Sequence, residues 1–234
     1  MSKILMIVSG ADTLKLADGS AHPTGFWAEE VAASHEVLRA AGHEVSIATP
    51  GGTRPVPDPI SLDARGGVDE DAARRFRAYL DGIDAELAAP LDLAAVSADD
   101  YDAVYLPGGH APMTDLAVSP ALGRLLTGAD RRGAVVAALC HGVGALVSAV
   151  GDDGAFAFAG REVTAFTDEE EAQGGLGDRS PWFVESRLRE LGAVVTTGPA
   201  WSSTVVEDGN LITGQNPQSS ADTARRVVGA LGNR

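Results

Sequence analysis

The chain holds one cysteine, Cys140, and the residues around it suit a nucleophile. An apolar stretch, 135–139, reads as a buried strand that runs directly into Cys140, then His141 and Gly142. The spacing Ala138-x-Cys140-x-Gly142 resembles the G-x-S-x-G elbow, in which small flanking residues let the chain turn sharply and raise a nucleophile above a sheet. A lone cysteine without context is by default a buried structural side chain; the elbow reverses that default. A following helix over 142–150 is expected to lower the thiol pKa through its positive end. His141 is the adjacent base candidate, against the plainer reading of a surface imidazole. The other histidines, His22, His35, His43 and His110, all precede it.

Gly108 and Gly109 close another expected strand, 102–106. A glycine pair at that edge can aim a backbone N–H at a developing oxyanion, with the His141 N–H as second donor; otherwise it is a plain turn. Glu29 and Glu30 open the first expected helix. Carboxylates there are favoured by the helix dipole alone, or one of them is buried against the thiol with a raised pKa and moves protons. Asp168-Glu169-Glu170-Glu171 is a charge run, usually a solvated face, from which at most one member does chemistry.

The elements that must position these groups alternate strand and helix. Residues 3–8 form an apolar run suited to a parallel strand covered on both faces. A polar loop of about 17 residues follows, long enough to be functional. Helix is expected over 26–41, stopped by Gly42, then strand over 43–48 and loop over 50–67. Further helices are expected over 69–80, around 119–127, from the Ser180-Pro181 start, and over 218–231. Asp208-Gly209 between apolar stretches signals a hairpin. This order predicts one α/β domain spanning 1–234, a three-layer sandwich with a mostly parallel sheet, flavodoxin-like in type. Ligands of such sheets sit beyond the carboxyl ends of the strands.

Hydrophobic residues make up 44% and charged residues 22%, which describes a globular chain rather than a disordered one. Net charge is −15, so nucleic acid and membrane surfaces are not expected partners. No apolar run reaches the roughly 18 residues of a bilayer span, and the start is too short for a signal peptide. One cysteine fits a reducing compartment, and the cytoplasm is expected.

Several motifs occur in order: Gly25 with Glu30, Pro107-Gly108-Gly109-His110, Ala138-Leu139-Cys140-His141-Gly142, Phe166-Thr167-Asp168 with Glu171, and Asp208-Gly209 with Gly214-Gln215-Asn216-Pro217. Together they resemble the ThiJ/PfpI superfamily, which shares the fold of class I glutamine amidotransferases, and within it the heat-shock chaperone and glyoxalase III-like branch. The resemblance departs at Ala111, where the family often has glycine. It implies Cys140 as nucleophile, His141 as its base, Glu30 as the buried carboxyl on the thiol, and Gly109 with His141 as oxyanion donors. It also implies an acid that orients His141; family spacing favours Glu171 over Glu169 and Glu170. The implied activity is a glutathione-independent glyoxalase that turns a small dicarbonyl, a 2-oxoaldehyde such as methylglyoxal, into a 2-hydroxy acid. A cysteine-dependent amidase or peptidase is the rival on the same chemistry. A stress chaperone or oxidation sensor is the rival from another class. A glutaminase is disfavoured because no histidine follows His141. No cofactor or metal is expected, since the spacing of a metal-binding member of the branch is not matched here. A homodimer is expected from the resemblance alone.

Overall fold

The computed structural model describes residues 1–151 and 154–232. The chain runs through β1 (Lys3–Ile7), the short strands β2 (Thr13–Lys15) and β3 (Ala21–Pro23), α1 (Ala28–Ala40), β4 (Glu44–Thr49), α2 (Glu70–Gly82), α3 (Asp84–Ala88) and β5 (Leu91–Asp92). It continues through β6 (Ala103–Leu106), α4 (Pro120–Arg131), β7 (Val135–Leu139), β8 (Glu162–Val163), α5 (Asp168–Gly174), α6 (Val184–Glu190), β9 (Val194–Val195), β10 (Val205–Asp208), β11 (Leu211–Gly214) and α7 (Ser220–Gly232).

Seven strands make the main sheet in the order β10-β11-β7-β6-β1-β4-β5. All neighbours are parallel except β10 with β11. The central strands are apolar throughout because both faces are covered. On one face, Leu5, Val104 and Val136 pack with Leu122 and Leu126 of α4 and Leu188 of α6. On the other, Met6, Tyr105 and Val135 pack with Val31 and Leu38 of α1, Leu80 of α2 and Val227 of α7. Each such side chain contributes about 1.5–3 kcal/mol on burial. From β1 the chain adds β4 and β5 on one side, then β6, β7 and β11 on the other. The direction of winding reverses between β1 and β6, which opens a crevice beyond their carboxyl ends.

Three expectations need correction. The polar loop after β1 contains the antiparallel pair β2 and β3, joined Thr13 to Pro23 and Lys15 to Ala21. The sixth helix begins at Val184, with Phe183 as its cap. The Ser180 hydroxyl instead donates to the Trp182 carbonyl, so Ser180-Pro181 forms a turn before the helix. The segment after Cys140 is a 3₁₀ run, Cys140–Ser148, rather than an α-helix. Its glycines lie against other parts of the chain: a Cβ at Gly142 would stand 2.4 Å from the Leu106 carbonyl oxygen, and one at Gly144 would meet Trp182.

Candidate active site

Cys140 sits where β7 ends, with φ at 57°. Positive φ is costly for a side chain with a Cβ and is a mark of the nucleophile elbow. The loop after β6 touches this elbow backbone to backbone, since a Cβ on Gly108 would lie 2.6 Å from the Gly142 nitrogen. Gly109, at φ 86°, lines a cavity onto which Cys140 also opens. From the third element, α1, the Glu30 carboxylate oxygen Oε2 accepts a 2.6 Å hydrogen bond from the Gly108 N–H. The start of α1 and the ends of β6 and β7 thus deliver Glu30, Gly109 and Cys140 to one place.

Glu30 is wholly buried. Burial pushes its carboxyl up to about 8, against the pull of the Gly108 N–H and a hydrogen bond with Cys140. It therefore carries its proton at neutral pH. Burial also pushes the Cys140 thiol well above its usual range, and Glu30 adds to that push, while the His141 N–H works the other way. The expectation of a thiol ionised by a helix end is not met: the 3₁₀ run offers a weaker end, and burial beside Glu30 outweighs it. Glu30 and Cys140 act on each other: the carboxyl helps to raise the thiol, and the thiol pulls the carboxyl down.

His141 Nδ1 lies 3.5 Å from the Cys140 sulfur, and its Nε2 lies 2.7 Å from Glu171 Oε2. Burial lowers the His141 pKa, and the neighbouring His110 adds to that lowering, so the imidazole is neutral. Burial raises Glu171, but the hydrogen bond with His141 and the close approach of His110 outweigh it and hold the carboxyl far below the usual range. An ionised Glu171 accepts the hydrogen bond from His141 Nε2–H, which leaves the Nδ1 lone pair facing sulfur.

The three acids of the charge run separate cleanly. Glu169 is exposed and accepts a hydrogen bond from the Gln173 side chain. Glu170 is buried as the capping-box residue of α5, bonded to Thr167, Trp201, Gln215 and Asn216. Glu171 faces His141. Glu29, half-buried at the cavity wall, is pushed up to about 7 by burial.

Sequence reasoning quoted His110 within a motif and assigned it nothing. It is buried, its ring centroid lies 4.1 Å from that of His141, and its Nε2 lies 3.5 Å from Glu171 Oε1. That contact lacks hydrogen-bond geometry, and neither ring nitrogen has a hydrogen-bond partner. The donor atoms of His110, His141 and Glu171 fall within 4.8 Å of one another, a composition suited to a divalent metal. His110 is buried, 4% exposed, against His141 and Glu171, neighbours that are distant in sequence.

Cys140 and His141 stand in the wall of a cavity of about 500 Å³. Residues 22–230 match the model of the DJ-1/PfpI family. Glyoxalase 3 of Candida albicans is 28% identical over 99% of this chain and 99% of its own. The protein/nucleic acid deglycase HchA of Pseudomonas aeruginosa is 28% identical over 98% of this chain and 80% of its own. The X-ray structure of the rapid encystment protein REP24 of Francisella tularensis superposes with a TM-score of 0.87 at 29% identity, covering 99% of both chains.

Proposed function

This chain belongs to the DJ-1/PfpI family, and from that premise we propose that it is a glutathione-independent glyoxalase converting 2-oxoaldehydes such as methylglyoxal to 2-hydroxy acids. The observation that carries this reading is Cys140 at a positive-φ turn, 3.5 Å from a neutral imidazole and paired with a carboxyl that holds its proton at neutral pH. The reaction needs a sulfur nucleophile, a base for its proton, and an acid–base group able to carry a proton between adjacent carbons. The thiol of Cys140 takes the place that a free thiol would otherwise fill, so glutathione is not required.

The steps balance as follows. Sulfur bonds to the aldehyde carbon while its proton passes to His141 Nδ1. The aldehyde oxygen, stabilised by the N–H groups of Gly109 and His141, takes the Glu30 proton, giving a hemithioacetal and a Glu30 carboxylate. That carboxylate removes the hydrogen from the former aldehyde carbon. The electron pair forms the carbon–carbon double bond, and the ketone oxygen takes the proton from His141, giving an enediol. Glu30 then delivers its proton to the second carbon while the oxygen on the first loses its own to His141, which leaves a thioester. Water adds to the thioester while its proton passes to Glu30, the carbon–sulfur bond breaks, and sulfur takes the proton held on His141 as lactic acid leaves. Glu171 holds His141 in the tautomer that faces sulfur throughout.

Lactate formation from methylglyoxal without glutathione tests the proposal. The wild type is expected to be active, Cys140→Ala and Glu30→Gln to lose at least about 1,000-fold, and Glu171→Gln to lose about 10- to 100-fold. No lactate from a wild-type protein whose intact Cys140 is verified by mass sinks the reading. Faster turnover of amides or peptides than of dicarbonyls transfers the same thiol to a hydrolase. We place the enzyme in the cytoplasm as a homodimer, an assembly that light scattering of the purified protein checks.

A further inference from the structure

Two non-glycine residues among those described have positive φ, Cys140 at 57° and Trp201 at 61°, and both line the same cavity. The first is the elbow. The second is a bulky side chain in a conformation that costs on the order of 1–3 kcal/mol and persists only where its surroundings impose it. Those surroundings are specific. The Trp201 N–H donates to buried Glu170 at 2.8 Å, and its indole Nε1 donates to the Gln173 side chain at 2.7 Å. The indole lies on Gly174, where a Cβ would approach it to 2.8 Å. Its ring meets Phe166 edge-on at 5.6 Å, and Phe166 in turn stacks on His141 at 4.5 Å.

Glu170 owes its position partly to Gln215 and Asn216, whose side-chain amides donate to its Oε1 at 3.2 and 2.7 Å. Asn216 also holds the Ser202 carbonyl beside Trp201. The Gly214-Gln215-Asn216-Pro217 segment, which supplies nothing to the chemistry above, therefore serves to fix an indole. Although 38% exposed, Trp201 is locked rather than loose.

The cavity is also far larger than methylglyoxal, which has only a handful of non-hydrogen atoms. Its volume of about 500 Å³ falls in the range of roughly 300–1,000 Å³ that suits drug-sized ligands. Beyond the sulfur its wall includes Trp27, Ile60, Val68, Phe166 and Trp201. We propose that Trp201 is a specificity-determining residue and that the favoured substrates are 2-oxoaldehydes bearing an aromatic ring on the ketone carbon, the ring lying against the Trp201 indole. Such ring pairs contribute about 0.5–1.5 kcal/mol beyond the area they bury.

This inference rests on the glyoxalase reading, and one experiment separates their failures. Initial rates of mandelate formation from phenylglyoxal and of lactate formation from methylglyoxal are measured for wild type, Trp201→Ala and Trp201→Phe, with folding checked by melting temperature. The wild type is expected to favour phenylglyoxal in kcat/KM by about 10-fold or more. Trp201→Ala is expected to lower that ratio at least about 10-fold, and Trp201→Phe to keep it within about threefold of wild type. A wild-type preference for methylglyoxal, or a ratio indifferent to Trp201→Ala, overturns the role of Trp201 and leaves the glyoxalase reading intact. If Trp201→Ala does not fold, Trp201→Leu takes its place, and a ratio unchanged by that loss of the aromatic ring overturns the role of Trp201. Turnover of neither compound overturns both.

Discussion

At the scale of single residues the decisive group is Glu30, a carboxyl without water around it. Its folded pKa, about 8, stands above the ordinary 4.5. The neutral form is favoured by burial, so the folded state binds this proton more tightly than the unfolded chain does. The resulting stability is complete below about pH 4.5 and drains away as pH rises towards about 8. A shift of that size corresponds to about 5 kcal/mol at most, counted at 1.36 kcal/mol per unit. Glu29, raised to about 7, acts with the same sign and less weight because it is half-exposed. The melting temperature is expected to fall between pH 5 and pH 8, and Glu30→Gln to flatten much of that fall. Scanning calorimetry of both proteins across the interval checks this; parallel curves would count against it. Turnover should share the dependence, with an alkaline limb near pH 8 where Glu30 loses the proton that the first step consumes.

At the scale of elements, the turns after β6 and β7 are fitted to each other. Gly108→Ala would push a Cβ to 2.6 Å from the Gly142 nitrogen and 2.9 Å from that of His141. Backbone cannot yield as a flexible side chain would, so the substitution is expected to cost about 3 kcal/mol. For a chain of this size that lowers the melting temperature by about 6–12 °C; an unchanged melting curve would contradict the fit. Much of this arrangement was legible beforehand. Residues 3–8 read as a parallel strand covered on both faces, 102–106 as a short strand and 134–139 as another buried strand, and Asp208-Gly209 read as the β10–β11 turn. The short pairs β2–β3 and β8–β9 were not, because two or three residues carry no period. The 3₁₀ run after Cys140 was hidden for another reason: its tight winding comes from glycine contacts with Leu106, Pro107 and Trp182, which are distant in sequence. The motif order pointed to Cys140, His141, Glu30 and Gly109, and family spacing favoured Glu171; the structure puts Glu171 against His141 and gives Glu170 to the capping box of α5. The low affinity of the thiol for a negative charge was likewise out of reach, since it depends on how deeply the sulfur is covered.

Across the whole molecule the surplus of 33 acidic over 18 basic residues gives a net charge of −15. Like charges crowded by folding repel one another, and salt shortens their reach from about 30 Å at 0.01 M to about 8 Å at 0.15 M. Raising the ionic strength across that range is expected to raise the melting temperature by a few degrees, and a fall would mean that attractive pairs dominate the surface. Among the described residues no helix is long and apolar enough to cross a membrane. The depth of the sulfur has a consequence for the molecule in an oxidising medium. Cys140 is 3% exposed and is the chain's single cysteine. At that depth a molecule as small as peroxide is expected to reach the sulfur more readily than a sulfur carried on a second protein. Peroxide treatment is therefore expected to add oxygen to Cys140, read by intact mass, with little disulfide-linked dimer on a non-reducing gel.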